Sequence, residues 1–527
     1  MDATGIASTM NNLIEIGKMN LEFISALTPA LSPGERGKVS LNSDIIFALS
    51  NPVTRGRKTV GVMEIIRPTC VASPSPGREG RGEGGRQNKL FSAMASLFLL
   101  PLLLGTPLLA PAQTILFTDA IVHTIANGTI TNGAVLVESN HITGVYNFTN
   151  GSSVHLSVPS DATFVNLHGQ HLYPGLIAAN TALGLSEIDG VRATRDTTEV
   201  GEGFTPEVES WIAVNPDSEM LPVARANGIA YFEPAPEGKI ISGQSGLMAM
   251  DGWTWEQMLV KKPVALHVFW PQVSLDTTPK ERAADPAKLK SLEDQDKERR
   301  QKIRAVQEFF DEARAYAKAR ASAHPPEKIP SWDAMLPFLR GKAPLIIHAD
   351  EVRQIKSAVN WVATNQFKAV IAGGRDAWMV ADLLATNKVP VIYEHTFSQP
   401  SRDTESYDVH FTAPEVLRKA GVEVTFCIGG ATANRNLPYS AAQAIAFGLP
   451  EEGALKGITL YPAQIFGVAD RLGSIEAGKD ATLFICDGNI FDLRANVKRM
   501  WIAGKEINLE SRHTRLYEKY KNRPLPK

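Results

Sequence analysis

From Pro344 onward the chain repeats one pattern four times, and this repetition narrows the fold more than any other feature. The strand-like run "LIIHAD" precedes "EVRQIKSAVNWVATNQ", whose apolar residues recur at helical spacing. "KAVIAGG" precedes "DAWMVADLLATNK"; "VPVIYEHTF" precedes a loop and "APEVLRKAG"; "VEVTFCIGG" precedes "PYSAAQAIAFG". Strands that alternate with helices lie parallel, because each helix carries the chain back across the sheet. "LYPGLIAAN" supplies an earlier unit. The expected fold class is therefore α/β, a TIM (β/α)8 barrel over residues 172–469.

The flanks have a different texture. "TILFTDAIVHTI", "GAVLVESNHITGVY" and "ATFVNLHGQHLYPG" are short apolar runs separated by Gly, Asn and Asp, which reads as strands. The same texture returns in "GSIEAGKDATLFICDG" and "VKRMWIAGKEI". The expectation is a small composite β-sandwich built from residues 113–171 and 470–510, with a tail at 511–527. A chain of 527 residues exceeds one ordinary core and accommodates both parts. A charged segment at about 275–325 has helical periodicity; it reads as a solvated helix pair or as a lid over the barrel mouth.

Residues 1–93 lack sustained periodicity and read as a mis-called or disordered extension. "LTPALSPGERG" and "SPSPGREGRGEGG" are consistent with a translated inverted DNA repeat, and so with a start assigned too early. Residues 94–112 read as a signal peptide: Lys89 precedes an apolar run from Phe98 to Ala110, and Ala110-Pro111-Ala112 fits the cleavage rule. The expected mature chain starts near Gln113 and is exported, periplasmic or extracellular, if the signal functions, and cytoplasmic otherwise. No later run has the length of a membrane span, so no membrane partner is expected after signal removal. A net charge of −2 with no basic stripe points away from nucleic acid. Of three cysteines, Cys427 and Cys486 lie in apolar runs and read as buried thiols without zinc spacing.

Two phrases carry a resemblance. "GQHLYPGLIAANTALGL" resembles the amidohydrolase-superfamily phrase in which Pro-Gly-Leu-Ile-Asp precedes His-x-His, and "LYPAQIFGVADRLGSIEAGKDATLFICDG" resembles its closing segment. The similarity runs from about Thr114 to Ile507 and is nearest to imidazolonepropionase-like members, within a divergent exported group. It implies the barrel and sandwich, and hydrolysis of C–N bonds, often in cyclic amides, by a metal-activated water. It also implies metal ligands that this chain mostly lacks. Asn180 and Ala182 stand at the His-x-His positions. His348 is retained after the fifth strand. Ala372, Gly373 and Gly374 stand where the sixth-strand His-Gly is expected, and the eighth strand carries no Asp, with Gly430 or Thr432 about there. The usual binuclear site is not expected; a single divalent metal such as zinc, held through His348 and His395, stays open.

Candidate catalytic residues are then His348, Asp350, Glu394 and His395, all at strand ends on the face where such barrels do chemistry. Candidate substrate-binding residues are Glu187, Arg192, Asn180 and Asn434, with Arg195 beside Arg192. "GQSG" has a serine between glycines but lacks the nucleophile-elbow spacing; it and "GGATANRN" read as tight turns where backbone approaches closely. Three functions follow: a C–N hydrolase on a small molecule with a remodelled site; a ligand-binding or scaffold relative without turnover; and a deaminase-like enzyme with one metal. A homo-oligomer is compatible with each.

Overall fold

The computed structural model describes residues 113–149, 158–200, 203–282 and 289–524. The readings of residues 1–93 as an extension and 94–112 as a signal peptide lie outside the described residues, as does Cys70. No described helix is long and apolar enough to cross a membrane.

The two ends of the described chain meet in one eight-stranded sheet. Strands β1 (Thr114–His123), β2 (Thr129–Glu138) and β3 (His141–Asn147) form an antiparallel meander; β4 (Thr163–Asn166) and β5 (His171–Pro174) run parallel to β1. From the far end come β14 (Leu483–Cys486), β15 (Val497–Ile502) and β16 (Lys505–Ile507). The join is β5 to β14, antiparallel, with Cys486 opposite His171 and Leu483 opposite Pro174. Alternate residues turn inward, as period-two patterning requires. Ile115, Phe117, Val135 and Trp501 share this core, and the Phe117 and Trp501 rings meet edge to face at 4.8 Å.

Between those ends lies the second eight-stranded sheet: β6 (Leu176–Thr181), β7 (Ile229–Pro234), β8 (Ile241–Ala249), β9 (Leu259–Phe269), β10 (Leu345–Ala349), β11 (Ala369–Gly373), β12 (Val391–Tyr393) and β13 (Val424–Phe426), neighbours in that order. A parallel bridge from Ala179 to Cys427 and a bond from the Ala182 amide to the Gly429 carbonyl (2.8 Å) bring β13 back to β6 and close the ring. The four strand–helix units after Pro344 are present, with helices Val352–Asn365, Ala381–Thr386, Val409–Lys419 and Leu437–Ala446 following β10 to β13.

One strand departs from expectation. The stretch holding "SGQSG" forms β8, buried along its whole length and antiparallel to both neighbours. Its connections, residues 235–240 and 250–258, are shorter than the dozen or so residues a parallel crossover needs, so the chain turns back as hairpins. The glycines do allow close approach, but from inside a strand: a side chain on Gly243 (φ +130°) would meet the Val208 carbonyl at 2.7 Å. The ring thus has seven strands of one direction and one reversed.

The charged insertion forms a 29-residue helix, Leu292–Arg320, capped by the Ser291 hydroxyl. One stripe of it, Val306, Phe310, Ala313 and Tyr316, is buried, and Phe310 packs on Trp361 and Phe367. Burying a side chain such as Phe310 contributes about 2–3 kcal/mol. Trp361 Nε1 donates to Gln307 and Arg314 donates to Asn365, so the helix lies along the barrel flank beside Val352–Asn365.

Candidate active site at the barrel mouth

Two hydrogen-bonded networks occupy the end of the barrel where β6, β9, β10 and β12 finish. The inner one joins four strands. Glu233 from β7 and His267 from β9 are fully buried, and Ser245 from β8 lies against them. His267 Nε2 is 2.8 Å from Glu233 Oε1 and 3.0 Å from Ser245 Oγ. Its Nδ1 is 3.0 Å from Nε2 of His348. The second Glu233 oxygen accepts from the Asn180 amide at 2.7 Å; Asn180 reaches it by turning into the left-handed region (φ +49°), which Asn tolerates better than most residues. The His348 ring stacks on Phe269, centroids 3.9 Å apart and nearly parallel. Burial, then the neighbouring His267, hold the His348 pKa well below its ordinary value, against an opposing pull from Asp350. A neutral His348 can donate its Nε2–H to His267, which in turn donates to Glu233, so every ring nitrogen in the contact has a partner of the right kind.

The outer network lies at the rim. Asp350 leaves β10, and its Oδ1 is 2.7 Å from His395 Nε2. His395 Nδ1 is 2.9 Å from the Ser398 hydroxyl. The local backbone explains this second contact: His395–Phe397 is a single 3-10 turn and Ser398 closes it, with its amide on the His395 carbonyl at 2.8 Å. In that geometry residues three apart stand one above the other. Asp350 fits because the next strand ends in glycine: a Cβ on Gly373 (φ +86°) would sit 2.5 Å from Asp350 Oδ1. Burial pushes the Asp350 pKa up, but the bond and charge of His395, with the Arg375 amide and charge, outweigh it and hold the carboxyl below the usual range. Asp376, almost wholly buried, binds Arg402 and the Val352 amide, and its own amide donates to the Asp350 carbonyl at 2.9 Å. Those bonds fasten the loop carrying Ser398 to the loops after β10 and β11.

Glu394 stands beside this pair. Its carboxylate is wetted at the rim yet walled by protein, and the loss of surrounding water raises its pKa; Asp350 adds to the rise, while His395 and the Gly429 amide oppose it. Gly429 is as tight there as Gly373 is at Asp350, since a Cβ would lie 2.5 Å from Glu394 Oε1. Cys427 is buried, and burial and Glu394 hold its thiol pKa well above the ordinary value, which keeps it protonated and weakly nucleophilic. Cys427 and Cys486 are both free.

The structure therefore brings Asp350 and His395 into direct contact, with Glu394 next to them, and sets His348 deeper. The substrate-binding candidates scatter. Asn434 is buried and serves as a clasp, its Nδ2 donating to Thr181 Oγ1 (2.5 Å), the Ile428 carbonyl (2.8 Å) and the Gly430 carbonyl (2.7 Å). The Asn180 backbone holds Glu233. Glu187 lies in the loop after β6, with Asn215 Nδ2 at 3.4 Å. Arg192 is exposed in the turn Arg192–Thr194, and Arg195 is 4.0 Å from Glu237. Sequence reasoning missed Glu233 and Ser398, gave no role to His267, and considered Ser245 only as a serine between glycines without the nucleophile-elbow spacing. A glutamate inside the apolar run "IAYFEP" was the available signal for Glu233; a serine three residues after a strand-end histidine was the signal for Ser398.

The divalent cation that the resemblance implies does not fit these donors. Among the described residues no group of three His, Cys, Asp or Glu side chains is placed to hold a metal ion. The two histidines considered as zinc ligands have prior commitments, His348 Nε2 to His267 and His395 Nε2 to Asp350. Transition metals need several such donors free and convergent.

Residues 257–507 match the model of the amidohydrolase family. The chain is 23% identical over 399 residues to amidohydrolase tasK of Hapsidospora irregularis, an alignment covering 71% of this chain and 39% of that protein. It thus spans about two-fifths of that relative's length. Among solved structures it resembles an amidohydrolase from Thermotoga maritima MSB8, with 26% identity, a TM-score of 0.63, and coverage of 75% of this chain and 99% of the other. The closed barrel, the sheet assembled from both ends and these similarities agree: the chain has the fold of the amidohydrolases, and its residues 257–507 match that family's model.

Proposed function

We propose that this protein is a hydrolase of carbon–nitrogen bonds other than peptide bonds, with small cyclic amides as its substrate class, working at the barrel rim. The observation that supports this reading above others is the Asp350–His395 pair with Glu394 beside it. It offers a base oriented by a carboxylate and a second carboxyl whose raised pKa suits proton donation. His395 takes a proton from the attacking group, Asp350 holds the ring in one tautomer, and Glu394 is positioned to supply a proton to the departing nitrogen. Positioned acid–base groups of this kind contribute about 10²–10⁴-fold each. His348 forms the floor beneath them.

A second reading is favoured by one observation, that the imidazole nitrogens at the mouth are bonded to protein groups and not left convergent on a cation. In it the barrel binds a small ligand without turnover. The deciding experiment incubates the purified full chain with hydantoin, dihydrouracil and their ring-substituted analogues, and follows ring opening by chromatography. Ring opening that disappears in His395→Ala supports the hydrolase. Absence of ring opening across the panel, in protein whose melting temperature rises with the same compounds, supports the binding protein and rejects the hydrolase.

A further inference from the structure

We propose that Ser398 is the nucleophile of a serine–histidine–aspartate triad, Ser398–His395–Asp350, so that the rim reacts with acyl carbons through a covalent acyl-serine. The proposal rests on the reading of the rim as the reacting end of the barrel, and adds the identity of the attacking atom.

Three observations carry it. The chain of contacts is complete: Ser398 Oγ to His395 Nδ1 is 2.9 Å, and His395 Nε2 to Asp350 Oδ1 is 2.7 Å. The two ring nitrogens are thus divided between a hydroxyl and a carboxylate, which is the division that makes an imidazole a base toward the hydroxyl. With Nε2–H donated to Asp350, Nδ1 carries the lone pair and accepts the Ser398 O–H. A triad is recognised by such roles and geometry, not by order along the chain; the two ring nitrogens are exchanged here relative to the serine-protease arrangement, in which Nε2 faces the serine, while the base and orienting roles are kept. Second, the hydroxyl is committed to that ring. A serine that closes a 3-10 turn commonly spends its oxygen on a backbone amide; here the turn is closed by the Ser398 amide, and the hydroxyl's side-chain bond goes to His395. Third, the members are reachable: His395 and Ser398 are partly exposed, and the Asp350 side chain keeps 45% of its surface. The inner Ser245, equally close to a histidine, is sealed.

The chemistry balances without a co-reactant other than water. Ser398 Oγ bonds to the carbonyl carbon of an amide or ester as its proton passes to His395 Nδ1. Collapse breaks the C–N or C–O bond; Glu394 gives a proton to the departing nitrogen or oxygen and recovers one from His395, so the net proton that leaves is the one taken from Ser398. Water then attacks the acyl-serine, gives a proton to His395, and the Oγ–C bond breaks with return of that proton to Ser398. In a cyclic amide the departing nitrogen stays tethered to the acyl group, so the acyl-serine holds the opened ring.

An alkyl fluorophosphonate tests this directly, because it forms a stable phosphonyl ester with an activated serine and needs no knowledge of the natural substrate. The full chain is treated with the probe and its mass and peptides are mapped. The expected result is one adduct per chain, on Ser398, lost in Ser398→Ala and formed at least about a hundredfold more slowly in Asp350→Asn and His395→Ala. Folding is monitored by circular dichroism, and Ser398→Cys serves as a second variant, expected to regain labelling with iodoacetamide well above that of wild type. Labelling of Ser398 no faster than of other surface serines, or equal labelling of wild type and Asp350→Asn, overturns the triad. Ring opening by Ser398→Ala at the wild-type rate overturns the nucleophile and leaves the hydrolase reading intact. An adduct on Ser398 without turnover of any cyclic amide supports the triad and rejects that substrate class.

Discussion

Two histidine–carboxylate pairs lie close together in this barrel and differ in almost everything that decides what such a pair does. Glu233–His267 is fully buried, spans two strands of the barrel wall, and has each polar atom in the contact matched. Asp350–His395 sits on loops at the rim, with side chains 45% and 18% exposed and a hydroxyl in place of a further wall. Distance does not separate them: the contacts are 2.8 Å and 2.7 Å. Water does. A hydrogen-bonded pair cut off from solvent is an obligate part of the fold, since removing one partner leaves the other's polar atoms buried without it. A wet pair contributes little to stability and is free to exchange protons. The inner network is thus built as structure, the outer one suits the chemistry proposed for the rim, and each reading can be broken separately.

The largest effect should come from cutting the inner pair. Glu233→Ala leaves the Asn180 amide unpaired in the barrel interior and His267 Nε2 with only the Ser245 hydroxyl, and is expected to cost about 3–5 kcal/mol of stability. Urea unfolding of wild type and variant measures it. A loss under about 1 kcal/mol would mean that water reaches Glu233, and the division between sealed and wet networks would fail.

Cutting the outer pair should give the opposite profile. Asp350→Asn removes the charge that orients His395 while keeping the size of the side chain. Ring opening, or probe labelling, should fall about a hundredfold or more, with stability changed by less than about 1 kcal/mol. The contrast sharpens further if His348→Gln, beneath the rim, lowers stability without a comparable loss of labelling. Equal damage to stability from Asp350→Asn and Glu233→Ala would merge the two networks into one.

The same contrast marks what the amino-acid order made legible. The barrel was readable because strand and helix alternate along the chain, and the composite sheet because its strand texture recurs at both ends. Strand β8 was not, since Gly243 and Gly246 read as turn residues, and only the nearness of Val208 and Trp211 in space explains why a buried strand needs them. Asp350, Glu394 and His395 were named as candidates because they stand at or just past strand ends, and the fold brings them close together. The inner network was hidden because Glu233, Ser245, His267 and His348 come from four strands, and which side chains share a level depends on register. The reversed β8, which brings Ser245 to His267, is the element that periodicity does not reveal. Ser398 was hidden for a smaller reason: three residues after His395 its side chain falls in line only if the turn is 3-10.

A smaller effect is expected at the glycine that makes room for the outer pair. Gly373→Ala places a methyl group 2.5 Å from Asp350 Oδ1 and imposes a left-handed backbone (φ +86°) on a residue that resists it. The backbone term alone costs about 1–2 kcal/mol. Asp350 is wet and can swing aside, so the additional result should be a weakened His395 contact, read as probe labelling slowed about tenfold by the reasoning that misorientation removes part of the acid–base contribution. Unchanged labelling in Gly373→Ala would show that Asp350 does not need its present seat.

Acid titration offers the mildest separation of the two networks, and its sign follows from which way each group is shifted. His348 has a folded pKa well below its ordinary 6.5, so below pH 6.5 the unfolded chain binds the proton that the folded chain refuses. Its contribution is intact above pH 6.5 and is lost as pH falls, with a slope of at most about 1.4 kcal/mol per pH unit. His123, buried in the small sheet and lowered to about 3 by burial and by His171, acts in the same direction. Asp350 is also lowered, from an ordinary 3.8, but being an acid it stabilises above that value and is lost only as pH falls through its folded pKa. The windows barely overlap. Stability between pH 6.5 and 4 should therefore decline less steeply in His348→Gln and in His123→Gln than in wild type, while Asp350→Asn follows the wild-type limb there and departs from it only below about pH 4. A limb in Asp350→Asn that is already steeper than the wild-type one above pH 5 would mean that burial raises the rim carboxyl's pKa, and would remove the distinction from which the chemistry at Ser398 was inferred.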